Sequence, residues 1–216
     1  MPRFEVRPLA PDELELAAGL YARAIRDQPT ILRAVPGGVD RRMRFIRKGM
    51  RVFLPHSGGT PISAWFRGEL VGVLGVQGPG RCRMSPSKLI QLVPRSLGMG
   101  SPRATAKLMH VARARDRHDL DEPHIHLEPL AVEPLFHGKG VAAAMFEHVI
   151  ARSERERIPV FAIADKIRMK PLAPLFDFEV LETFDILGIP HVSGVRRPQG
   201  RMPARSHVAR LAVTGD

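Results

Sequence analysis

Two groups of residues in the middle of the chain could do chemistry, and the first is the loop His137-Gly138-Lys139-Gly140. It separates a strand-like run, 124–132, from an Ala-rich segment that begins at Val141 and has the apolar spacing of a helix. A helix N-terminus presents unpaired backbone N–H groups and the positive end of the helix dipole. The two glycines place no side chain between these donors and an anion, and the lysine adds a positive charge. The loop therefore predicts a site for a phosphate-bearing ligand.

The second group lies on the strand-like run itself. His124, His126 and Glu128 follow one another at two-residue spacing, so a regular strand places them on one face together with Leu130 and Val132. The His-x-His spacing is also found in metal sites, but no third ligand with strand or helix spacing stands out. The sequence therefore predicts a polar row on one strand face and no metal.

The flanking residues predict the elements that must position these two groups. Alternating or short apolar runs indicate strands, and apolar residues at three- and four-residue spacing indicate helices. Asp40 is the predicted N-cap of the second helix, and residues 165–170 are predicted to be a polar connector. The predicted strands are 3–8, 61–66, 70–77, 124–132, 158–164, 177–185 and 186–195. The predicted helices are 11–29, 40–54 and 86–97, one that follows Ser101-Pro102, one that begins at Val141, and a short one at 171–175.

The composition is that of a globular protein, with 44% hydrophobic and 25% charged residues among 216, and this length predicts a single domain. The sequence shows no apolar run long enough for a membrane span and no signal peptide. It has a single cysteine, Cys82, which suits a reducing compartment. A cytoplasmic protein without a membrane partner is therefore predicted. The net charge of +11 could indicate nucleic acid, but residues 121–185 hold 7 basic and 12 acidic residues, so that partner is not favoured.

The loop is neither a dinucleotide fingerprint nor a P-loop, because G-x-G-x-x-G and G-x-x-x-x-G-K-[ST] are both absent. The pattern from Leu130 to Ala142, LAVEPLFHGKGVA, resembles instead the acyl-CoA signature of the GNAT superfamily of N-acyltransferases. That signature reads Gln/Arg-x-x-Gly-x-Gly/Ala after a strand and an acidic-Pro turn. Gly140 and Ala142 fit it, and His137 stands where the family usually has Gln or Arg. The predicted order of elements also matches the GNAT fold over about residues 3–197.

The resemblance implies an α/β (α+β) fold with a central mixed, mostly antiparallel, twisted sheet flanked by helices. Residues 1–197 would form one acetyltransferase domain, with a helical insertion at 84–120 similar to that of antibiotic-modifying members, and 198–216 would be a loose basic tail. In this fold the signature strand and the next strand splay apart, and the pantetheine chain of CoA runs between them.

The same resemblance implies an N-acetyltransferase that moves an acetyl group from acetyl-CoA, its cosubstrate, directly to a primary amine of a small molecule, without a metal. Glu128 is the first candidate for the base that deprotonates the amine, and His126 is the second. Two alternatives stay open: the carboxylate of Glu128 could serve only to hold the substrate amine in place, and His126 could be a hydrogen-bonded core residue. By match to the family motif, CoA is bound by backbone groups of Leu130, Ala131 and Val132 and by the loop residues His137, Gly138, Lys139, Gly140, Val141 and Ala142.

The proton donor departs from the family pattern. Relatives often carry Tyr in the short helix before a Gly-Phe-like turn, but Ala173 stands at that position, and the only tyrosine is Tyr21. Together with His137, this keeps a second interpretation open, a CoA-binding protein that senses or regulates. A third is acetylation of protein or peptide N-termini or lysines. A homodimer is also left open.

Overall fold

A computed structural model describes residues 3–80 and 100–200 of the chain. Within these ranges seven strands form one sheet in the order β1-β2-β3-β4-β5-β7-β6. The strands are β1 (Glu5–Pro8), β2 (Ile62–Phe66), β3 (Glu69–Gln77), β4 (Ile125–Val132), β5 (Val160–Asp165), β6 (Glu179–Ile186) and β7 (Ile189–Arg196). The helices are α1 (Leu14–Ile25), α2 (Pro29–Ala34), α3 (Val39–Phe53), α4 (Pro102–Arg117), α5 (Val141–Glu156) and α6 (Lys166–Leu175).

Neighbouring strands are antiparallel except for β4 and β5, which are parallel. The mixed, mostly antiparallel sheet implied by the resemblance is therefore confirmed. Only residues 125–127 of β4 pair with residues 160–162 of β5, although β4 continues to Val132 and β5 to Asp165. Beyond the last pair the two strands separate and leave an opening in the middle of the sheet.

Helices cover both faces of the sheet. On one face, α5 and α6 pack over an apolar cluster that includes Leu127, Met145 and Phe146. On the other face, α1 and α3 pack over a second cluster that includes Phe45 and Val73, and α4 adds its first turn to the same side. Burial of these two apolar clusters is the main force that holds the layers together.

The pairing of β3 with β4 shifts by one residue opposite Gly75. Leu74 pairs with Leu130, but Val76 pairs with Leu127, so three steps along β4 match two along β3. This is a β-bulge, which places one extra residue in β4 and bends the strand. It lies at the point where β4 leaves β5.

The bulge reverses the alternation of side chains along β4. Leu127, Leu130 and Val132 all lie on the α5 side, where they belong to or pack against the first cluster. His124 and His126 lie on the opposite side, against the loop that follows α4. The prediction of one continuous face from His124 to Val132 is therefore wrong for Leu130 and Val132, because the extra residue shifts the two-residue period.

Two helix boundaries near the N-terminus differ from prediction. The first predicted helix, 11–29, ends earlier than expected, because α1 stops at Ile25. Helix α2, which was not predicted, begins at Pro29, whose missing N–H suits a first helical position. Helix α3 begins at Val39 with Gly38 as its N-cap. The prediction that Asp40 is this cap is wrong, and Asp40 lies in the first turn, where its charge faces the helix dipole.

The start of α4 is confirmed, since the hydroxyl oxygen of Ser101 accepts a hydrogen bond from the N–H of Ala104 at 3.4 Å. The connector predicted at 165–170 is wrong, because Asp165 accepts a hydrogen bond from the N–H of Arg168 at 3.1 Å and caps α6 there. The predicted helix 86–97 and residues 201–216 of the predicted tail lie outside the described residues.

Of the helices within residues 3–80 and 100–200, none combines the length and the apolar character that crossing a membrane requires.

Candidate active site

The loop before α5 is built on two glycines with left-handed backbone. Gly138 has a φ of 73°, and Gly140, the N-cap of α5, has a φ of 87°. A side chain would strain the backbone at both positions. A methyl group on Gly138 would have no atom within 4 Å. The loop therefore depends on glycine for its conformation and is open above Gly138.

The first turn of α5 presents donors that the helix itself does not use. The N–H of Ala144 donates to the carbonyl of Gly140 at 3.0 Å, so the N–H groups of residues 141–143 precede the first bond of this helix. Val141 and Ala142, two of the predicted ligand-binding residues, lie in this turn. Their N–H groups and the helix dipole make a site that suits an anion.

His137 and Lys139 contribute to the structure of the loop. Their N–H groups donate to the carbonyls of Pro134 and Phe136, at 3.2 and 3.3 Å respectively. The Nε2 of His137 lies 3.0 Å from the carbonyl oxygen of Val132, to which it donates. The Nζ of Lys139 lies 5.1 Å from the centre of the Phe136 ring. The backbone donors of both residues are thus engaged in the turn, while the lysine keeps a positive charge beside it.

The main chain of β4 directs alternate residues toward the opening. The N–H of Glu133 donates to the carbonyl of Val71 on β3 at 2.9 Å. Because antiparallel pairing alternates, Ala131 also faces β3, whereas the main-chain groups of Leu130 and Val132 face the side where β4 and β5 separate. Of the three β4 residues predicted to bind CoA, Leu130 and Val132 therefore line the opening, and Ala131 is engaged with β3.

The two candidate bases lie side by side at the bulge. The carboxylate of Glu128 forms an ion pair with Arg115 of α4 through Oε1, and its Oε2 lies 3.4 Å from Nε2 of His126. The side chain of Glu128 is 18% exposed, that of Arg115 is 24% exposed and that of His126 is 7% exposed. Burial lowers the pKa of Arg115 to about 10, partly opposed by the charge of Asp165, so the guanidinium remains cationic at neutral pH. Nothing in the spacing of the sequence indicated Arg115.

Asp119 joins His126 of β4 to His124, the residue just before this strand. Its Oδ1 lies 3.0 Å from Nε2 of His124 and 3.2 Å from Nδ1 of His126. Burial alone would raise the pKa of Asp119, but hydrogen bonds from the two histidines outweigh it and hold that pKa below its ordinary value. Sequence reasoning missed Asp119 because it lies in the loop after α4, at no regular spacing from the strand. The only signal in the sequence that would have found it is the presence of an acidic residue shortly before the His-x-His pair.

Tyr21, the only tyrosine, supports the bulge from α1. Its hydroxyl donates to the carbonyl of Pro129 at 2.8 Å and lies 3.3 Å from the carbonyl oxygen of Val73. Tyr21 is fully buried, which raises the pKa of its hydroxyl. Ala173 lies buried in α6, and its carbonyl accepts the N–H of Phe178 at 2.8 Å. Neither position therefore places an exposed phenol beside the opening.

Comparison with protein families matches residues 38–168 to the acetyltransferase (GNAT) family. Solved structures share the fold at low sequence identity. "Histone acetyltransferase HPA2 and related acetyltransferase" from Corynebacterium glutamicum is 20% identical with a TM-score of 0.67, over 93% of this chain and 98% of its own. Drosophila melanogaster polyamine N acetyltransferase is 14% identical with a TM-score of 0.58, over 90% and 100%. The yncA protein of Salmonella typhimurium, solved with acetyl-CoA, is 12% identical with a TM-score of 0.53, over 92% and 95%.

A comparison with curated protein sequences gave no significant match. The family match nevertheless covers more than half of the chain and includes β4, the glycine loop and α5. GNAT acetyltransferases use acetyl-CoA, and the similar yncA structure holds it. The opening between β4 and β5 and the start of α5 both lie within the matched residues. The chain therefore belongs to the acetyltransferase (GNAT) family and is an acyl-CoA-dependent N-acetyltransferase.

Proposed function

We propose that the protein transfers the acetyl group of acetyl-CoA directly to the primary amine of a small-molecule acceptor. The observation that carries this proposal is the position of Glu128. Its carboxylate lies at the bulge of β4, beside the opening to β5, on the strand that leads into the anion site of α5. The candidate base at position 128 thus lies on the strand that leads into the proposed site for a phosphate-bearing acyl donor at positions 137–142.

The loop and β4 would hold acetyl-CoA. The N–H groups of Val141 and Ala142, with no side chain at Gly138 or Gly140, suit the pyrophosphate, and Lys139 adds attraction for its charge. The main-chain groups of β4 that line the opening suit the amides of the pantetheine chain, which can pair with a strand edge as a further strand does. The bound thioester supplies the acetyl group.

Glu128 is proposed to take a proton from the acceptor amine. An ammonium group has no lone pair, so a base must remove one proton before the C–N bond forms and the C–S bond breaks. The ion pair with Arg115 keeps Glu128 in its carboxylate form, and His126, next to Oε2, is the alternative base. The side chain of Ala173 has no proton to give, so the leaving thiolate takes its proton from water or from another side chain, such as a serine or a histidine.

A small acceptor is favoured by the burial of the two candidate bases. Glu128 has 18% and His126 only 7% of its side chain exposed, so a slender amine reaches them more readily than a folded protein surface does. Similar structures named as agmatine and polyamine N-acetyltransferases suggest the first acceptors to test.

The test measures thiol release from acetyl-CoA in the presence of agmatine, spermidine, other small amines and a pool of peptides. Glu128→Gln is compared with wild type and with Glu179→Gln, an exposed carboxylate on β6. Loss of a general base is expected to reduce kcat by about 10²- to 10⁴-fold. Affinity for acetyl-CoA, measured by calorimetry, is expected to stay within about twofold.

Release with a small amine, lost in Glu128→Gln and kept in Glu179→Gln, supports the proposal. Equal rates in all three proteins would exclude Glu128 as the base, and the same series with His126→Ala would then test the alternative. Thiol release with peptides but with no small amine would indicate that the acceptor is a protein or a peptide.

A regulatory CoA-binding protein is the second candidate. It is favoured by one observation, the buried Ala173 where relatives often carry tyrosine. Binding of acetyl-CoA without thiol release for any amine or peptide would support it.

A further inference from the structure

We propose that Asp119, His124 and His126 bind one divalent transition-metal ion, with zinc as the expected metal. The sequence predicted no metal because only two ligands were apparent, and the fold supplies the third. The three side chains offer one ligand atom each, and these atoms lie within 4.8 Å of one another. The proposal is independent of the acyl acceptor and of the role of Glu128.

The distances suit a tetrahedral ion. The Oδ1 of Asp119 lies 3.0 Å from Nε2 of His124 and 3.2 Å from Nδ1 of His126. An ion with bonds of about 2.0–2.1 Å holds neighbouring ligand atoms about 3.3 Å apart. The nitrogens of the two histidines lie no more than 4.8 Å apart, so the imidazoles would have to close by up to about 1.5 Å to hold a tetrahedral ion.

Hydrogen bonds outside the cluster orient the histidines as metal ligands are oriented. The Nδ1 of His124 lies 2.9 Å from the carbonyl of Glu122, and only a protonated nitrogen can donate to a carbonyl. In the neutral ring this leaves Nε2 with a lone pair that points at the carboxylate of Asp119. The hydrogen bond from Nε2 to Asp119 described above therefore requires a second proton on His124, whereas a metal ion between the two atoms would hold the same arrangement with the neutral ring.

His126 repeats the arrangement. Its Nδ1 faces Asp119, and its Nε2 faces Glu128 at 3.4 Å. A metal-bound histidine commonly donates its other N–H to a carboxylate or a backbone carbonyl. His124 has such a carbonyl partner in Glu122, and for His126 the carboxylate of Glu128 lies near Nε2. The ring of Phe161 lies edge to face with both imidazoles, with centres 5.2 and 5.3 Å away, and holds their orientation.

Charge and burial also favour a cation. The side chains of Asp119, His124 and His126 are 3%, 4% and 7% exposed. Arg115 forms its ion pair with Glu128, the other carboxylate of this face. A metal ion among the three side chains would place a positive charge beside the buried carboxylate of Asp119, which favours the ionised form of that group.

Two imidazoles and one carboxylate select a borderline ion such as Zn²⁺ over Mg²⁺ or Ca²⁺, which prefer oxygen ligands. Three protein ligands leave a fourth position for water. Asp119 lies just beyond the end of α4, so the ion would tie this loop to β4. The ion would thereby position Arg115 and His126 around Glu128, which is a supporting role rather than a direct one in acyl transfer.

The test uses the full chain after dialysis against a chelator and then against metal-free buffer. We expect Zn²⁺ to bind at one ion per chain by calorimetry and elemental analysis, and to raise Tm. Bound Co²⁺ is expected to give the visible spectrum of a tetrahedral site. His124→Ala and Asp119→Asn are expected to weaken Zn²⁺ binding by at least about 100-fold, since removing even an outer partner costs 10- to 100-fold.

His110→Ala, which removes a histidine of α4 outside the cluster, is the matched control and is expected to bind as wild type does. Circular dichroism checks that each variant is folded. If the variants do not fold, X-ray absorption of the wild-type zinc complex decides, since it must show two imidazole ligands. Failure of wild type to bind Zn²⁺ or Co²⁺ at one ion per chain, or unchanged binding in folded His124→Ala, would overturn the proposal and leave a protonated histidine pair. Neither result depends on acetyl-CoA.

Discussion

Gly75 provides the sharpest test of how the bulge shapes the active site. It lies on β3 directly opposite the extra residue of β4. A methyl group on Gly75 would have its carbon 2.1 Å from the carbonyl oxygen and 2.6 Å from the carbonyl carbon of Glu128, and 2.7 Å from Cδ of Pro129. Two of these atoms belong to the backbone and the third to a proline ring, so none of them can turn aside as the end of a flexible side chain would.

The cost of Gly75→Ala follows from these distances. Ordinary contacts between such atoms are about 3.5 Å, so the two strands must move apart by roughly 1.4 Å at this point. Overpacking of this kind typically costs about 1–3 kcal/mol and occasionally more. We expect at least about 3 kcal/mol, because the hydrogen bonds between the strands must lengthen together with the contact. The same movement would displace Glu128, so acyl transfer is expected to fall more than binding of acetyl-CoA.

The assay is urea unfolding followed by circular dichroism, with thiol release measured on the same preparations. Gly78→Ala is the matched control, because a methyl group at Gly78 would meet nothing within 4 Å. We expect the control to unfold within about 0.5 kcal/mol of wild type. If Gly75→Ala unfolds as the control does, the close approach of β3 to the bulge does not exist and the geometry argued for Glu128 is wrong.

Two further predictions concern the loop and the C-terminal end of the described chain. Gly140→Asp is expected to weaken acetyl-CoA binding by at least about tenfold in calorimetry, because a carboxylate would stand beside the proposed pyrophosphate site. Gly140→Asn is the matched control, because it strains the left-handed backbone in the same way but adds no charge, and it is expected to lose less affinity. Equal affinities of the two variants would refute the placement of the pyrophosphate beside this residue. Glu154→Gln is expected to cost about 3 kcal/mol at pH 7, because Arg196 would lose its buried partner at 2.7 Å. Burial alone would raise the pKa of Glu154, but hydrogen bonds from Arg196 and from backbone N–H groups hold this pKa below its ordinary value of 4.5. The stabilisation of the fold by the Glu154 carboxylate is therefore complete above pH 4.5 and is lost as the pH falls through the lowered pKa. A difference in unfolding free energy that persists unchanged in acid would contradict the assignment.

The central loop could be predicted from the sequence because its signals are local. Glycines at 138 and 140, followed by an apolar helix, determine a left-handed turn and a helix N-terminus within a few residues. The alternation and the turns that define the strands are equally local, and the order of strands and helices was sufficient to indicate the sheet. These parts agree with the structure because few competing conformations are open to them.

Departures from prediction occur where a distant segment decides the outcome. The face of β4 changes at Glu128 because Gly75, on another strand, lets the backbone of the bulge approach closely. The helix α6 extends over a stretch that seemed a polar connector, because one side-chain cap at Asp165 and the packing of Met169 and Ala173 outweigh the polar residues.

What the sequence determined by itself was therefore the family, most of the strands and the turn at Gly138 and Gly140 that leads into α5. Only the tertiary structure decided which side chains surround Glu128. Arg115 and Asp119 come from α4 and its following loop, and they meet Glu128 and the two histidines only because α4 packs across that face of the sheet. A local pattern specifies the conformation of the residues that carry it, whereas contacts between elements depend on register and packing that no single segment encodes.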